Sequence, residues 1–264
     1  MIENTLTENT AYLLVSHGSR HSSSQIAEAQ LAELVRQQLQ ERRSRYREAF
    51  SQTTAVMPKI ELPLVSTAAL ELAPLPLHEQ IIQFARNAQE NGSNCLKIFP
   101  LFLLPGVHVK EDIPNEVFLA QQVLADQIEI ELQPYLGKNP GLVNLLAQHF
   151  FHLSGDARIL LSHGSRREGA NELIEAIASQ VNAVAAYWFV SPSLREQVTA
   201  LINVGKKRIA IVPYFLFSGG TTEAIAMEIE ALQSEFSTVE LQLGNPLDAS
   251  SEQLAELIVD SIKP

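Results

Sequence analysis

Apolar and polar positions along the chain follow two alternating rhythms. Short apolar or β-branched runs, AYLLV (11–15), LVSTAALEL (64–72), CLKIFPLFLL (95–104) and QIEIELQPY (127–135), are each followed by a longer stretch with helical periodicity. Those stretches predict helices at about 24–42, 76–91, 113–125 and 141–153. The same alternation continues with RILL (158–161), VAAYWFV (184–190), RIAIVPYFLF (208–217) and VELQL (239–243), and with helices at about 169–181, 192–204, 222–236 and 250–262. Strand alternating with helix over short connections predicts parallel sheets with helices on both faces. One stretch, 41–59, is charged and lacks a clear period, and reads as a helix end followed by an inserted surface loop.

The second half lies over the first in one order of landmarks. VSHGSR (15–20) matches LSHGSR (161–166), so His17 falls on His163. LELAPLPL (70–77) falls on WFVSPSLR (188–195), pairing Glu71 with Phe189, and FPLFLLPGVHVKED (99–112) falls on VPYFLFSGGTTEAI (212–225), pairing His108 with Thr221. Self-similarity of this kind predicts two related α/β domains produced by duplication, each with a four-stranded parallel sheet. The expected division is 1–154 and 155–264, with a joint near 154–157.

Composition narrows the function classes. A formal charge of -11 and an aromatic content of 6% argue against a nucleic-acid partner, because phosphate backbones would be repelled. No run approaches the roughly 18 apolar residues of a membrane helix. MIENTLTENT at the start lacks the blocks of a signal peptide, so a soluble cytoplasmic protein is expected. The single cysteine, Cys95, excludes an intrachain disulfide framework and reads as a buried, reduced thiol.

Ligands of open parallel sheets bind beyond the carboxyl ends of the strands. His17, Glu71 and His108 are predicted there, after the first, second and third strands of the first half. Two imidazoles and a carboxylate suit a divalent transition metal, and three or fewer protein ligands leave open positions on an ion that must be released. The second half, with His163, Phe189 and Thr221, lacks the set. Each such histidine taken alone reads more often as a hydrogen-bonded turn residue than as a ligand; the presence of all three groups in one half and not in the other favours function. His21, His78, His149 and His152 read as surface or packing residues, with His21 near enough in sequence to line the same site. Ser19 with Arg20, and Ser165 with Arg166, follow glycine turns at predicted helix starts, where free N–H groups and a guanidinium attract carboxylates. Gly219 and Gly220, in SGGTTEAI, form a similar turn without a histidine and are assigned to substrate binding.

LLVSHGSR, ALELAPL and PLFLLPGVHVKEDIP together resemble the sirohydrochlorin chelatases of the CbiX and SirB type, the class II chelatases, over nearly the whole chain. The resemblance implies two flavodoxin-like domains facing a cleft and ATP-independent insertion of cobalt(II) or iron(II) into sirohydrochlorin, toward cobalamin or siroheme. It assigns metal handling to His17 and His108 with Glu71 as the acidic partner, and leaves His163 a remnant. No permanent cofactor is implied; the metal is a substrate. The carboxylate-rich tetrapyrrole would need local cations, for which Arg20, Lys110, Arg166 and Arg167 stand at predicted loop ends. A duplicated chain is expected to supply both lobes as a monomer. Two other readings compete: a cobalt or nickel chaperone using the same ligands, and a histidine phosphatase. The latter is disfavoured because Ser16 stands where its arginine should be.

Overall fold

The computed structural model describes residues 10–50 and 62–262, without the side chains of 46–50 and 249–250. In the first repeat β1 (Thr10–Ser16), β2 (Val65–Ala69), β3 (Cys95–Pro100) and β4 (Glu129–Leu132) form a parallel sheet in the order β2-β1-β3-β4. In the second, β5 (Ala157–Ser162), β6 (Val184–Tyr187), β7 (Arg208–Pro213) and β8 (Glu240–Leu243) repeat that order as β6-β5-β7-β8. The register fixes the strand ends: Val15 pairs with both Ala68 and Pro100, so the three carboxyl ends emerge together. The chain leaves β1 for β2 on one side and returns to β3 on the other, which makes the β1/β3 edge a switch point where ligands commonly bind.

Eight α-helices lie among the described residues: α1 (Ser22–Phe50), α2 (Leu77–Glu90), α3 (Ile113–Leu124), α4 (Gly141–Phe151), α5 (Glu172–Gln180), α6 (Leu194–Asn203), α7 (Gly220–Glu235) and α8 (Ser251–Ser261). Ala11, Leu13 and Val15 on alternate positions of β1, with Leu96 and Ile98 of β3, pack against Ile81, Ala85 and Ala88 of α2 and Val117, Ala120 and Leu124 of α3. Strand period two and helix period near four thus meet in one apolar layer. Ile159 and Leu161, Ile209 and Ile211, Val198, Ile225, Ile229 and Leu232 build the matching layer in the second sheet.

Two expectations need correction. Helix α1 does not end near Arg42 but runs to Phe50; the remainder of the expected loop, 51–59, lies outside the described residues. Glu, Arg and Gln are good helix formers, and their charges find partners that a local pattern does not reveal. Glu41 and Arg45 pair at 4.0 Å, Arg42 pairs with Asp260 of α8, and the Arg43 guanidinium is buried, reaching the Thr10 carbonyl at 3.5 Å.

The compact units are not the two repeats. One contains the described residues up to Asn139 together with those from Ser251 onward; the other is Pro140–Ser250. Thus α4, the last helix of the first repeat, packs against β7 in the second unit, whereas α8, the last helix of the second repeat, packs against α1 in the first. Each repeat gives its final helix to the other unit's core. Helices α5 and α6 also begin later than expected, at Glu172 and Leu194.

Among the described residues, no helix is long and apolar enough to cross a membrane.

Candidate metal centre

The structure brings together the three residues expected from the sequence. His17 follows β1 directly, Glu71 stands two residues beyond β2, and His108 reaches the same place from beyond β3. The His17 and His108 rings meet edge to face, with centroids 5.0 Å apart. His17 Nε2 lies 3.8 Å from Glu71 Oε2, too long for a hydrogen bond, so neither group is committed to the other. One ligand atom from each of the three lies within 4.8 Å of the others. Ligands at about 2.1 Å from one ion stand at most about 4.2 Å apart, so small side-chain rotations suffice to close the set. His17 and Glu71 side chains are about half exposed, and the set opens to solvent.

Backbone contacts hold the site. The Glu71 N–H donates to the His17 carbonyl at 2.9 Å, and the Leu70 N–H to the Ser16 carbonyl at 2.9 Å, tying the loop after β2 to the turn after β1. The Gly18 N–H donates to Ser16 Oγ at 3.1 Å. Gly18 has φ +95°, and a Cβ there would stand 2.0 Å from the Glu71 carbonyl oxygen. Glycine is therefore required both for the left-handed backbone and for the close approach.

Ser16 also hydrogen-bonds the buried Glu28, whose carboxyl pKa is raised because burial penalises its charge more than this bond favours it. An acid with a raised folded pKa loses stability once ionised: the penalty is absent below the unfolded pKa and complete above the folded one. Glu28→Gln keeps a hydrogen-bonding amide without the charge. Its melting temperature relative to the unsubstituted chain should therefore rise as the pH climbs above about 4, by a few degrees at most. A difference independent of pH would show that this charge carries no cost.

His108 does not sit in the loop expected. It opens a π-helical turn, His108–Asp112, that runs directly into α3. Pro114 stands in the first turn of α3, in the helix expected from about 113. The π turn ahead of it is closed by the Ile113 N–H donating to the His108 carbonyl. That turn places Asp112 beside His108, and Asp112 Oδ2 lies 2.7 Å from His108 Nδ1. Sequence reasoning missed Asp112, although its spacing of four from a candidate ligand was a usable signal. A carboxylate on Nδ1 holds the proton there and leaves the Nε2 lone pair for a metal. Asp112→Ala should weaken cobalt(II) affinity about 10–100-fold, and Asp112→Asn, whose amide oxygen still accepts from Nδ1–H, should recover much of it. Equal loss in both variants would remove this positioning role.

Beside the trio lies a groove of about 380 Å³ lined by Glu71, Asp112, Asn115 and Glu116 with Leu70, Pro76 and Leu77. At about 30 Å³ per water it has room for a partly hydrated ion. Glu116 is not free in it: it accepts from the His78 backbone N–H at 2.7 Å and contacts His78 Nδ1 at 2.9 Å. His149 Nδ1 faces the Asn245 carbonyl at 3.2 Å, and burial lowers its pKa. His21 and His152 are exposed.

The expected anion-binding residues fare unevenly. Arg20, Lys110, Arg166 and Arg167 are exposed. Ser19 Oγ accepts the His21 N–H at 3.1 Å, and Ser165 Oγ accepts the Arg167 N–H at 3.2 Å, so both hydroxyls shape their turns. The turn at Gly219 and Gly220 does not match its expected role. The Gly219 N–H is taken by Thr222 Oγ1 at 2.8 Å and the preceding Ser218 N–H by Asp248 at 2.8 Å, so a side-chain carboxylate already occupies the place an anion would take.

The second repeat reproduces the frame without the ligands. The Phe189 N–H donates to the His163 carbonyl at 3.1 Å and the Trp188 N–H to the Ser162 carbonyl at 2.9 Å, as Glu71 and Leu70 do to His17 and Ser16. Tyr214 bonds back to Leu161 at 2.7 Å as Leu101 does to Val15, which carries Thr221 onto His108. Phe189 there lies against the His163 ring, centroids 4.5 Å apart. Among the described residues, one other cluster has ligand-like spacing: Cys95, Glu129 and Glu131. The Cys95 thiol is buried and its pKa is pushed up to about 12 by burial and by Glu131, which keeps it protonated.

A sirohydrochlorin ferrochelatase of Priestia megaterium is 26% identical over 211 residues, 73% of this chain and 77% of that protein. SirB from Bacillus subtilis with Fe3+ superposes with a TM-score of 0.71 over 96% of this chain and 94% of its own, at 19% identity. SirB from Bacillus subtilis subspecies spizizenii in complex with cobalt gives 0.67 over the same shares, at 19% identity. At these identities the two structures speak for the fold. The CbiX family matches residues 11–153 and again 157–264, once for each repeat, and with nearly the whole chain accounted for, this protein belongs to the CbiX family.

Proposed function

We propose that the protein is a sirohydrochlorin chelatase that inserts cobalt(II) or iron(II) into the tetrapyrrole without ATP, acting in the cytoplasm as a monomer. The observation that carries the reading is the convergence of His17, Glu71 and His108 at three strand ends of the first repeat, set against an otherwise equivalent frame that keeps His163 but has Phe189 and Thr221 in the other two places. The metal is a substrate held by a partial ligand set; no resident cofactor is invoked. Insertion exchanges two pyrrole N–H protons for one divalent ion, with no change in oxidation state. As each N–H bond breaks and a metal–nitrogen bond forms, imidazole or the Glu71 carboxylate accepts the proton, and the remaining protein–metal bonds are released. His108, held by Asp112, is the fixed ligand; His17 and Glu71, with no side chain at hydrogen-bond distance among the described residues, are free to let go. Arg20 and Lys110 are the exposed cations of the first repeat assigned to the tetrapyrrole's carboxylates.

The test is direct. Purified protein mixed with sirohydrochlorin and cobalt(II) or iron(II) should convert the free tetrapyrrole's absorption spectrum to that of the metallated form faster than the uncatalysed mixture. Tight metal binding with no acceleration would instead identify a metal chaperone.

A further inference from the structure

The turn that carries His17 is held from the core side by a residue its repeat does not share. Laid over one another without a gap from His17 and His163, the two repeats bury the same helical positions: Leu31, Ala32 and Val35 stand where the second repeat has Ile177, Ala178 and Val181. The same register sets the buried Glu28 of α1 against the buried Ile174 of α5. The fold therefore has no need of a carboxyl at this place, since an apolar side chain fills its equivalent. Burying a carboxyl is costly unless it is bonded, and departures of this kind from an apolar layer collect where function requires them.

The bond that Glu28 makes leads to the metal centre. Ser16, buried at the end of β1, directly precedes His17. A hydroxyl offers one hydrogen and two lone pairs. The Ser16 O–H donates to the Glu28 carboxylate, and Ser16 Oγ accepts the Gly18 N–H at 3.1 Å, so a short chain of hydrogen bonds runs from α1 into the turn on both sides of His17. Isoleucine at 174 cannot form such a chain with Ser162. The outer side of the turn, in contrast, is fastened alike in both repeats: Gln25 Nε2 donates to the Ser19 carbonyl at 2.7 Å, and Asn171, in the matching place, donates to the Ser165 carbonyl at 2.9 Å. The inner fastening is what distinguishes the repeat that holds His17, Glu71 and His108 together. Its accuracy matters, because ligand atoms within 4.8 Å of one another must close to about 4.2 Å around one ion. A working site tolerates only about 0.5 Å of misplacement, which is the size of that closure.

We infer that Glu28 is a positioning residue for metal binding: through Ser16 it sets the turn that presents His17 to the ion. This rests on the metal centre of the chelatase reading and adds to it a buried residue that never touches the metal.

Cobalt(II) is titrated calorimetrically into the full chain and its variants near neutral pH, with melting curves alongside. Glu28→Ile, which installs the residue of the second repeat, should raise the cobalt(II) Kd about three- to tenfold, less than the loss of a partner bonded directly to a ligand. Its melting temperature should stay within a few degrees, because apolar burial offsets the orphaned Ser16 hydroxyl. Glu28→Gln, whose amide oxygen still accepts the Ser16 O–H, should return Kd to within about twofold of the unsubstituted chain. Ser16→Ala breaks the same chain without touching the apolar layer and should match Glu28→Ile, and the double variant should lose no more affinity than either alone. Undiminished affinity in Glu28→Ile, a loss that glutamine does not restore, or additive losses in the double variant would overturn the positioning role. If Glu28→Ile does not fold, Ser16→Ala set against Glu28→Gln decides in the same way. The titration needs no tetrapyrrole, so failure of the unsubstituted chain to insert metal would sink the chelatase reading while the cobalt(II) affinities still judged Glu28.

Discussion

His17→Ala and His108→Ala should each lower metal insertion more than about 100-fold, since even the outer partners of metal ligands cost about 10–100-fold when removed. The same two variants should lose cobalt(II) affinity, whereas His163→Ala should keep it within about twofold, because its neighbour at the Glu71 position is Phe189 and Thr221 replaces the second imidazole. Stability should hardly change. His17 is half exposed and His108 is about a third exposed, and surface substitutions of this kind stay within about 0.5 kcal/mol. Equal loss of metal affinity in all three variants would mean that both repeats share the ion and that the asymmetry assigned to the chain is wrong.

Gly18→Ala is expected to damage fold and site together. The added Cβ meets a backbone carbonyl at 2.0 Å, and that carbonyl belongs to Glu71, whose own N–H is tied back to His17. No side-chain rotation relieves such a contact, and φ +95° is itself costly for alanine. A loss of about 2–3 kcal/mol follows, or about 5–10 °C in melting temperature. Below that temperature cobalt(II) affinity should still be reduced about tenfold or more, because His17 and Glu71 are displaced relative to each other. Gly164→Ala is the comparison in the other repeat: at φ +81° its Cβ would meet the Tyr187 and Val190 side chains at 2.7 Å, a milder clash, so stability should fall by less while cobalt(II) affinity stays intact. Gly106→Ala, with nothing within 4 Å, should be silent in both measurements. A Gly18→Ala chain with undiminished metal affinity would separate the turn from the site.

Much of this architecture is legible before any coordinates. Alternation of apolar runs with helical periodicity marks the eight strands and their helices, and the ordered landmarks from His17 to His163 and from Pro100 to Pro213 reveal the duplication. The convergence of His17, Glu71 and His108 is legible for the same reason: parallel strands release their loops at one edge, so polar residues just past three strand ends must be neighbours. What was hidden depends on tertiary partners. An amphipathic pattern in α4 or α8 shows that one face is buried but not in which sheet, and the two helices are exchanged between units. Helix α1 continues past Arg42 because Asp260 and the Thr10 carbonyl await its arginines, both remote in sequence. Asp112 was concealed because the helix expected from about 113 is preceded by a π turn, 108–112, that brings it beside His108. At Gly219 the glycine pair looks open to anions until Asp248, thirty residues away, is seen to fill the turn.

X-ray absorption at the cobalt edge of the cobalt-loaded full chain tests the centre of this account, because it reads the donor atoms themselves. The prediction is one ion per chain in a shell of nitrogen and oxygen, with imidazole scattering that falls when either His17 or His108 is replaced by alanine. Sulfur in the shell would place the ion on the Cys95, Glu129 and Glu131 cluster, and imidazole scattering lost only on His163→Ala would place it on the second repeat. Either result would contradict the assignment.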